Sequence, residues 1–197
     1  RTLQKELQKT ETALQQSAIA LTQKRYAVKL EMEEIVSQKL GYLGMPNAQF
    51  VVDIAHSNHF LPTGCDVVNF LFSANKNGTP QPIAQTASGG ELSRVMLVIK
   101  SLMVSRANLP TIIFDEIDTG VSGEIAHRMG EIIQLIAHTM QVITITHLPQ
   151  IAAKGVAHYK VYKYDTENAT ITNIVKLTSE ERVEQIAEML SGKNPSA

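Results

Sequence analysis

A pair of adjacent acids stands near the middle of the chain, directly after a short apolar run. Asp115 and Glu116 follow residues 111–114, a run typical of a buried parallel strand. Ligands of open α/β sheets bind at the carboxyl ends of strands, so both carboxylates are expected at such an edge. One carboxylate there can hold Mg²⁺ through water, and the other can polarise an attacking water. A strand that ends in a solvated acidic turn is the ordinary alternative, and the pair alone does not distinguish the two.

A glycine-rich segment precedes the acids by roughly 25 residues and opens a predicted helix. It consists of Ser88, Gly89, Gly90 and Glu91. The serine and the acid have the spacing of a capping box, which leaves the two consecutive glycines unexplained. Glycines let a backbone approach an anion closely, and a helix amino terminus offers free N–H groups. The segment therefore has two interpretations, a plain helix start or a phosphate-binding one.

A histidine follows a second apolar run. His147 comes after residues 141–146, another predicted buried strand. An imidazole at the carboxyl end of a strand can hydrogen-bond a phosphate or an attacking water. A purely structural histidine is the commoner alternative for a single residue of this kind.

Residues 1–40 form the longest predicted element, and they contain no Gly and no Pro. A seven-residue apolar repeat runs along them through Leu7, Leu14, Leu21, Val28 and Ile35. Such a repeat predicts one strand of a coiled coil, which needs a partner helix for stability. An amphipathic helix lying on the domain is the alternative. The glycines and the proline within residues 41–46 are expected to end the helix.

The remaining chain alternates predicted strands with predicted helices. Strands are expected at 50–55, 66–73, 111–114, 141–146, 159–164 and 170–177, and helices at 92–107, 123–138, 148–153 and 179–190. Residues 56–59 and 79–87 are expected as loops, and Ser179 as the cap of the last helix. The alternation predicts an α/β fold whose sheet has both faces covered. We expect two domains, a coiled-coil helix at 1–41 and a globular part at 42–197.

Composition limits the classes of function. The 197 residues carry a net charge of −1, so there is no basic excess to neutralise the phosphates of a nucleic acid. No apolar run reaches about 18 residues, the length that a membrane helix needs, so no membrane partner is expected. Because Arg1 falls inside the helical pattern, we expect a piece of a longer protein.

The order and spacing of the three motifs resemble those of ATP-binding-cassette ATPases. Residues 88–91 look like the signature motif of that family. Asp115 looks like the Walker B aspartate that supports Mg²⁺ through water, Glu116 like the catalytic base and His147 like the switch histidine. The resemblance implies an ATPase, with ATP and Mg²⁺ as cofactors.

Longer runs narrow the resemblance to SMC-like heads. Asp-Glu-Ile-Asp at 115–118 is similar to such heads, whereas transporter cassettes usually follow Asp-Glu with Pro. Runs at 64–70, 115–123 and 146–153 resemble SMC-like proteins of DNA double-strand break repair and recombination. The resemblance implies DNA as a partner and a cytoplasmic, nucleoid-associated location. Ser122 stands where related heads often have Asp, which leaves that loop's contacts across a dimer open.

The sequence lacks a P-loop of the form G-x-x-x-x-G-K-[ST]. In SMC-like heads that loop lies in the amino-terminal lobe, so the chain looks like the carboxy-terminal lobe of a P-loop NTPase head with a long coiled-coil helix. We expect the chain alone to be inactive and to work with its own amino-terminal Walker A lobe. The resemblance also implies a homodimer of heads, in which residues 88–91 contact the ATP of the second head. ATP binding would join the heads, and hydrolysis would release them.

Two other functions fit parts of the sequence. One is the nucleotide-binding cassette of a membrane transporter, against which stand the long helix and the Asp-Glu-Ile-Asp run. The other is a non-catalytic coiled-coil interaction module, in which the acids and His147 are structural. That module predicts that Glu116→Gln changes nothing beyond local stability.

Overall fold

The structure is a computed structural model that describes residues 2–86, 88–104, 109–166 and 169–191. It divides into two compact units, residues 1–92 and residues 93–197. The predicted division of the chain into 1–41 and 42–197 stays a prediction.

The first unit begins with helix α1 (Thr2–Tyr42), which confirms the long predicted helix. The helix ends at Tyr42, and Gly44, two residues later, adopts the left-handed conformation with φ 81°. Its last turn is buried through Val36 and Leu40, whereas its amino-terminal leucines are exposed. The tertiary contacts of α1 are with the strands that follow it. Leu7, Leu14 and Val28 of its apolar repeat are exposed, as contact with a partner helix in a coiled coil requires.

Strands β1 (Gln49–Leu61) and β2 (Gly64–Ser73) form an antiparallel hairpin beside α1. Phe50 pairs with Phe72, and both are buried. The expectation that residues 56–59 form a loop is wrong, because β1 continues through them to Leu61 with an irregularity in register. Pairing with β2 covers residues 49–56 and resumes at Leu61, and within the irregularity the His59 N–H donates to Ser57 Oγ at 3.1 Å. The polar side chains therefore do not end the strand.

The proline-containing segment after the hairpin also differs from its prediction. The expected loop at 79–87 contains strand β3 (Gln81–Pro82), which pairs with β2, and a short helix α2 (Ile83–Thr86). Pro82 lies on the outer strand of the three, where a proline is tolerated because no further strand needs its missing N–H. Residue 87 of the predicted loop lies outside the described residues.

Helix α3 (Gly89–Val104) starts in the first unit and continues into the second. Its buried side chains include Val95 and Val98, which follow the helical spacing of the sequence. The predicted end of this helix, beyond residue 104, lies outside the described residues.

The second unit is built on a β–α–β arrangement. Strand β4 (Thr111–Asp115) and strand β5 (Gln141–Ile145) pair in parallel, and helix α4 (Gly123–Ala137) connects them. A short helix, α5 (Pro149–Ala152), follows β5 and packs on α4. This confirms the α/β class and the predicted central elements.

The two faces of this sheet are not equally covered. Phe114 is buried on one face, where Nζ of Lys100 in α3 lies 5.4 Å from its ring centroid. The other face exposes Ile113, Ile143 and Ile145 to 57%, 45% and 52%. The expectation that both faces are covered is therefore wrong for this chain, and three isoleucines form an open apolar surface.

The second unit ends in a hairpin and a helix. Strands β6 (Tyr159–Asp165) and β7 (Thr170–Lys176) pair antiparallel, and helix α6 (Ser179–Ser191) follows. The predicted cap of α6 was Ser179, which is wrong by one residue. Thr178 is the cap, because its N–H donates to Glu181 Oε2 at 2.7 Å and its Oγ1 accepts from Glu181 N at 3.3 Å.

Candidate active site

The carboxyl ends of β4 and β5 lie side by side. Asp115, the last residue of β4, pairs with Ile145, the last residue of β5. Glu116 extends the alignment by one residue, since its N–H donates to the carbonyl of Ile145 at 3.1 Å. The predicted acids and the residues after β5, including His147, therefore emerge at one edge of the sheet. This is the edge at which open α/β sheets bind ligands.

Glu116 has a backbone conformation that side chains rarely adopt. Its φ is 46°, and it is the one non-glycine residue with positive φ among the described residues. The carbonyl of Glu116 accepts hydrogen bonds from N and Oγ1 of Thr119, at 3.2 and 2.9 Å. A left-handed residue other than glycine costs about 1–3 kcal/mol, and such residues cluster at functional sites. The turn therefore holds the exposed Glu116 side chain at the strand end against a local preference.

Asp118 is fully buried, and the sequence does not reveal its contacts. Its Oδ2 accepts a hydrogen bond from the hydroxyl of Thr146, the residue after β5. Within the described part of the chain its Oδ1 has no hydrogen-bond partner. The carboxylate joins the loop after β4 to the loop after β5.

His147 lies next to the hydrogen-bonded pair of Asp118 and Thr146 and is exposed to solvent. Its Nδ1 is 3.8 Å from Asp118 Oδ2, and 67% of its side chain is exposed. The adjacent backbone is fixed, since Leu148 N–H donates to Thr146 Oγ1 at 3.0 Å. The structure thus brings His147 together with the acidic loop, while its ring remains open to a ligand.

The predicted signature segment, residues 88–91, lies in the first unit. Ser88 N–H donates to Glu91 Oε2 at 2.9 Å, and Leu92 N–H donates to the Ser88 carbonyl at 2.8 Å. These bonds confirm the acid's part of the predicted capping box. A Cβ added to Gly89 would meet nothing within 4 Å, so the packing of this chain does not require glycine there. Gly90 and Glu91 are partly buried, whereas Ser88 and Gly89 are exposed.

Asp115 fits the predicted magnesium ligand. Its side chain is exposed at the carboxyl end of β4. In the described ranges no group of three or more His, Cys, Asp or Glu side chains is arranged to hold a metal by itself. Mg²⁺ in nucleotide sites takes one or two carboxylates and completes its shell with waters and phosphate oxygens. A single exposed carboxylate therefore matches a metal that arrives with its nucleotide.

The sequence interpretation missed the roles of two residues, Asp118 and Thr146. Asp118 was read only as part of the Asp-Glu-Ile-Asp run, and Thr146 only as a strand end. The available signal was sequence position, since Thr146 directly precedes His147 and Asp118 stands two residues after Glu116. Their pairing depends on the parallel register of β4 and β5, which a single sequence does not give.

Comparison with known proteins identifies the relatives of the chain. It is 37% identical to DNA repair protein RecN of Haemophilus influenzae over 180 residues, which cover 91% of the chain. It is 40% identical to RecN of Rickettsia bellii over 173 residues, and 38% identical to RecN of Treponema pallidum over 201 residues. The chain is homologous to part of RecN. It spans about a third of the length of these curated relatives, 32% for the first and 35% for the last.

These relatives are DNA repair proteins by name, which is the kind of protein that the resemblance predicts, and they are not named as transporters, the alternative interpretation. No family model matches the chain. In the described part of this RecN-like chain, no helix is both long and apolar enough to cross a membrane.

Solved structures agree on the fold. An SMC head domain with a coiled coil and joint from Pyrococcus yayanosii superposes with a TM-score of 0.62 at 18% identity, covering 81% of this chain and 29% of the other. An SMC ATPase studied for ATP-driven dimerization and DNA-stimulated activation gives a TM-score of 0.55 at 18% identity, covering 83% and 93%. At these identities the likeness shows the fold alone, which is that of an SMC ATPase head.

Proposed function

We propose that this RecN-like chain supplies one lobe of an ATPase head that acts in DNA double-strand break repair and recombination. The observation that carries the proposal is the left-handed Glu116, held at the carboxyl end of β4 beside Asp115, at the sheet edge where β5 leads toward His147. The RecN relatives support the DNA repair role, because that is what their names describe. A protein acting on DNA in this way would work in the cytoplasm at the nucleoid.

Each residue of the edge has a distinct proposed task. Asp115 would hold Mg²⁺ through water, and the ion would neutralise charge that develops on the transferred phosphoryl group. Glu116 would accept a proton from the attacking water, and its side chain is exposed at the strand end as that task requires. His147 would donate a hydrogen bond from its open ring to the terminal phosphate.

The signature segment would serve a different nucleotide from the one at Glu116. Ser88 and Gly89 are exposed at the start of α3, and the open space around Gly89 permits a close approach by another molecule. The dipole of a helix favours an anionic ligand at the helix amino terminus. We propose that residues 88–91 contact ATP held by a second copy of the head. ATP would thus join two heads, and hydrolysis would release them.

The exposed face of the β4–β5 sheet supports the proposal that a second lobe packs against it. Ile113, Ile143 and Ile145 form an apolar surface on a parallel sheet, and parallel sheets are normally covered on both faces. Because RecN relatives are about three times as long as the chain, their remaining sequence is available to cover this surface. We propose that an amino-terminal lobe with the Walker A loop packs there.

The test is reconstitution. The chain is mixed with a separately expressed amino-terminal RecN lobe, and phosphate release from ATP is measured. The chain alone is expected to give no turnover above background, and the mixture is expected to restore it. Efficient hydrolysis by the chain alone, or an inactive mixture that has assembled correctly, would contradict the proposal.

A matched pair of variants checks that assembly uses the open sheet face. Ile143→Thr removes apolar area from the exposed face, and Val142→Thr makes a similar change on the partly buried opposite face. Ile143→Thr should leave the chain's stability within about 0.5 kcal/mol and weaken binding of the other lobe. Val142→Thr should mainly lower stability. Equal effects of both variants on lobe binding would count against this docking surface.

A further inference from the structure

We infer that Asp118 is a positioning residue that sets the orientation and tautomer of His147. The inference rests on the proposed function, because it concerns the histidine that would contact the terminal phosphate. The residues that carry it all lie in the second unit.

The carboxylate of Asp118 occupies an unusual place for a structural acid. It is fully buried, it accepts one hydrogen bond at Oδ2 from Thr146, and in the described structure no donor reaches its Oδ1. Buried acids are normally satisfied by several donors, because an unpartnered buried oxygen is unfavourable. The oxygen that faces both Thr146 and His147 is Oδ2.

The donor network fixes the backbone on both sides of His147. Leu148 N–H donates to Thr146 Oγ1, and the Thr146 hydroxyl donates in turn to Asp118 Oδ2. The residue before the histidine and the residue after it are therefore tied to one carboxylate.

The oxygen that accepts from Thr146 also lies close to the imidazole ring of His147. Asp118 Oδ2 lies 3.8 Å from Nδ1 of His147, a distance that a small rotation of the exposed ring reduces to a hydrogen bond. A carboxylate at Nδ1 favours the tautomer with the proton on Nδ1 and turns Nε2 away from the protein. Nε2 then faces the solvent side, where a nucleotide would bind.

Asp118 also connects this histidine to the proposed base. It stands two residues after Glu116, and its carbonyl accepts from Val121 N at 3.2 Å within the same turn. The loop that carries Glu116 and the loop that carries His147 therefore share one buried anchor. A displacement of either loop would be passed to the other through the carboxylate.

The first test is spectroscopic and uses the chain itself. Histidine ring nitrogens are labelled with ¹⁵N, and the tautomer of each neutral ring is read from its nitrogen shifts, with His147→Gln assigning the signal. His147 should carry its proton on Nδ1, and Asp118→Asn should shift it toward the Nε2–H form. His127, whose Nε2 lies 3.4 Å from Glu131 Oε1, should not change and serves as the internal control. A His147 tautomer that is the same in both proteins would overturn the inference.

The second test measures turnover in the reassembled head. Asp118→Asn should lower kcat about 10- to 100-fold with KM for ATP nearly unchanged, as loss of an orienting partner does for other histidines. Thr146→Ser should retain activity, because it keeps the hydroxyl, whereas Thr146→Val should lose it and gives a second route if Asp118→Asn does not fold. A fall in stability with full kcat in the folded fraction would mean a structural role only and would overturn the inference.

Glu116→Gln distinguishes failure of the inference about Asp118 from failure of the proposed function. If Glu116→Gln abolishes turnover but Asp118→Asn and Thr146→Val do not, the inference fails and the proposed function stands. If turnover is indifferent to Glu116→Gln, the proposed function fails, whatever the ring nitrogens show.

Discussion

Arg25 of helix α1 donates a hydrogen bond from Nη1 to Oδ2 of Asp66 on strand β2, at 2.7 Å. The same carboxylate accepts from the hydroxyl of Thr22 at 2.8 Å, and Arg25 Nη2 donates to the carbonyl of Thr63 at 2.7 Å. Asp66 is buried, while Arg25 is partly exposed. The long helix is thus attached to the hairpin by a buried, charge-assisted contact at its middle.

This attachment predicts that Asp66→Asn destabilises the first unit. The amide keeps the shape of the side chain but loses its charge, so the contacts with Arg25 and Thr22 weaken. Urea unfolding followed by circular dichroism should show a lower midpoint than in the unsubstituted chain. Glu188→Gln is the control, since Glu188 makes an exposed 3.7 Å pair with Lys160 and should change the midpoint little. Equal midpoints for Asp66→Asn and the unsubstituted chain would contradict the prediction.

The same carboxylate predicts a dependence on acid. The hydrogen bond from Arg25 holds the pKa of Asp66 below the ordinary aspartate value of 3.8, against the opposing effect of its burial. An acid whose pKa is lower in the folded chain than in the unfolded chain stabilises the fold through its charged form. This stabilisation is complete above the unfolded pKa and is lost as the pH falls through the folded pKa. The difference in midpoint between the unsubstituted chain and Asp66→Asn should therefore be constant near neutral pH and shrink below about pH 4. A difference in midpoint that grows on acidification would contradict a lowered pKa for Asp66.

Gly89→Ala should leave the stability of the chain almost unchanged but weaken the association of two heads. A Cβ at this position meets open space, so Gly89→Ala should change the free energy of unfolding by less than about 1 kcal/mol. If residues 88–91 contact a nucleotide across two heads, the added methyl group should nevertheless reduce ATP-dependent dimerization of the reassembled head. Analytical ultracentrifugation with and without ATP measures this effect.

Gly130→Ala is the matched control for that variant. A Cβ on Gly130 would lie 3.3 Å from the carbonyl oxygen of Gln150 and 3.2 Å from Cγ of Lys154, where α4 meets α5. Its cost should be about 1–3 kcal/mol in stability, as for other overpacked sites, with no specific loss of dimerization in the folded fraction. Unchanged ATP-dependent dimerization of Gly89→Ala would remove the support for a trans contact at this glycine.

The left-handed conformation of Glu116 predicts that a glycine at this position would raise stability while removing activity. Glu116→Gly should relieve backbone strain and stabilise the second unit by about 1 kcal/mol, because glycine adopts positive φ without a Cβ clash. Glu116→Gln keeps the strain and should match the unsubstituted chain in urea unfolding. Both variants should be inactive in the reassembled head. A lower midpoint for Glu116→Gly than for Glu116→Gln would mean that the turn stores no strain.

Local patterns predicted the elements that carry the site. The apolar runs before Asp115 and His147 are short strands with helical sequence between them, and this order predicts a parallel pair whose carboxyl ends meet. Their edge was therefore predictable from the sequence, and so was the meeting of Glu116 with the residues after β5. The long helix was predictable too, because residues 1–40 contain no helix breaker.

Contacts between distant segments were not predictable in the same way. The partnership of Asp118 with Thr146 needs the two strands in one register, and it also needs a burial that only packing decides. The strand through residues 56–59 was missed because β1 continues across an irregularity in its pairing with β2, which the polar composition of the segment does not indicate. The cap of α6 was displaced by one residue because Thr178 and Ser179 are both good capping residues, and Glu181 matches only the first in spacing.

The central claim is that Glu116 is the base of an ATPase site completed by another lobe. The most direct measurement is single-turnover hydrolysis of ATP by the reassembled head, with and without Glu116→Gln, beside nucleotide binding in the same samples. We predict that hydrolysis falls about 10²- to 10⁴-fold in the variant while ATP binding survives. Hydrolysis that is indifferent to the change, in a variant that still binds ATP, would contradict the account.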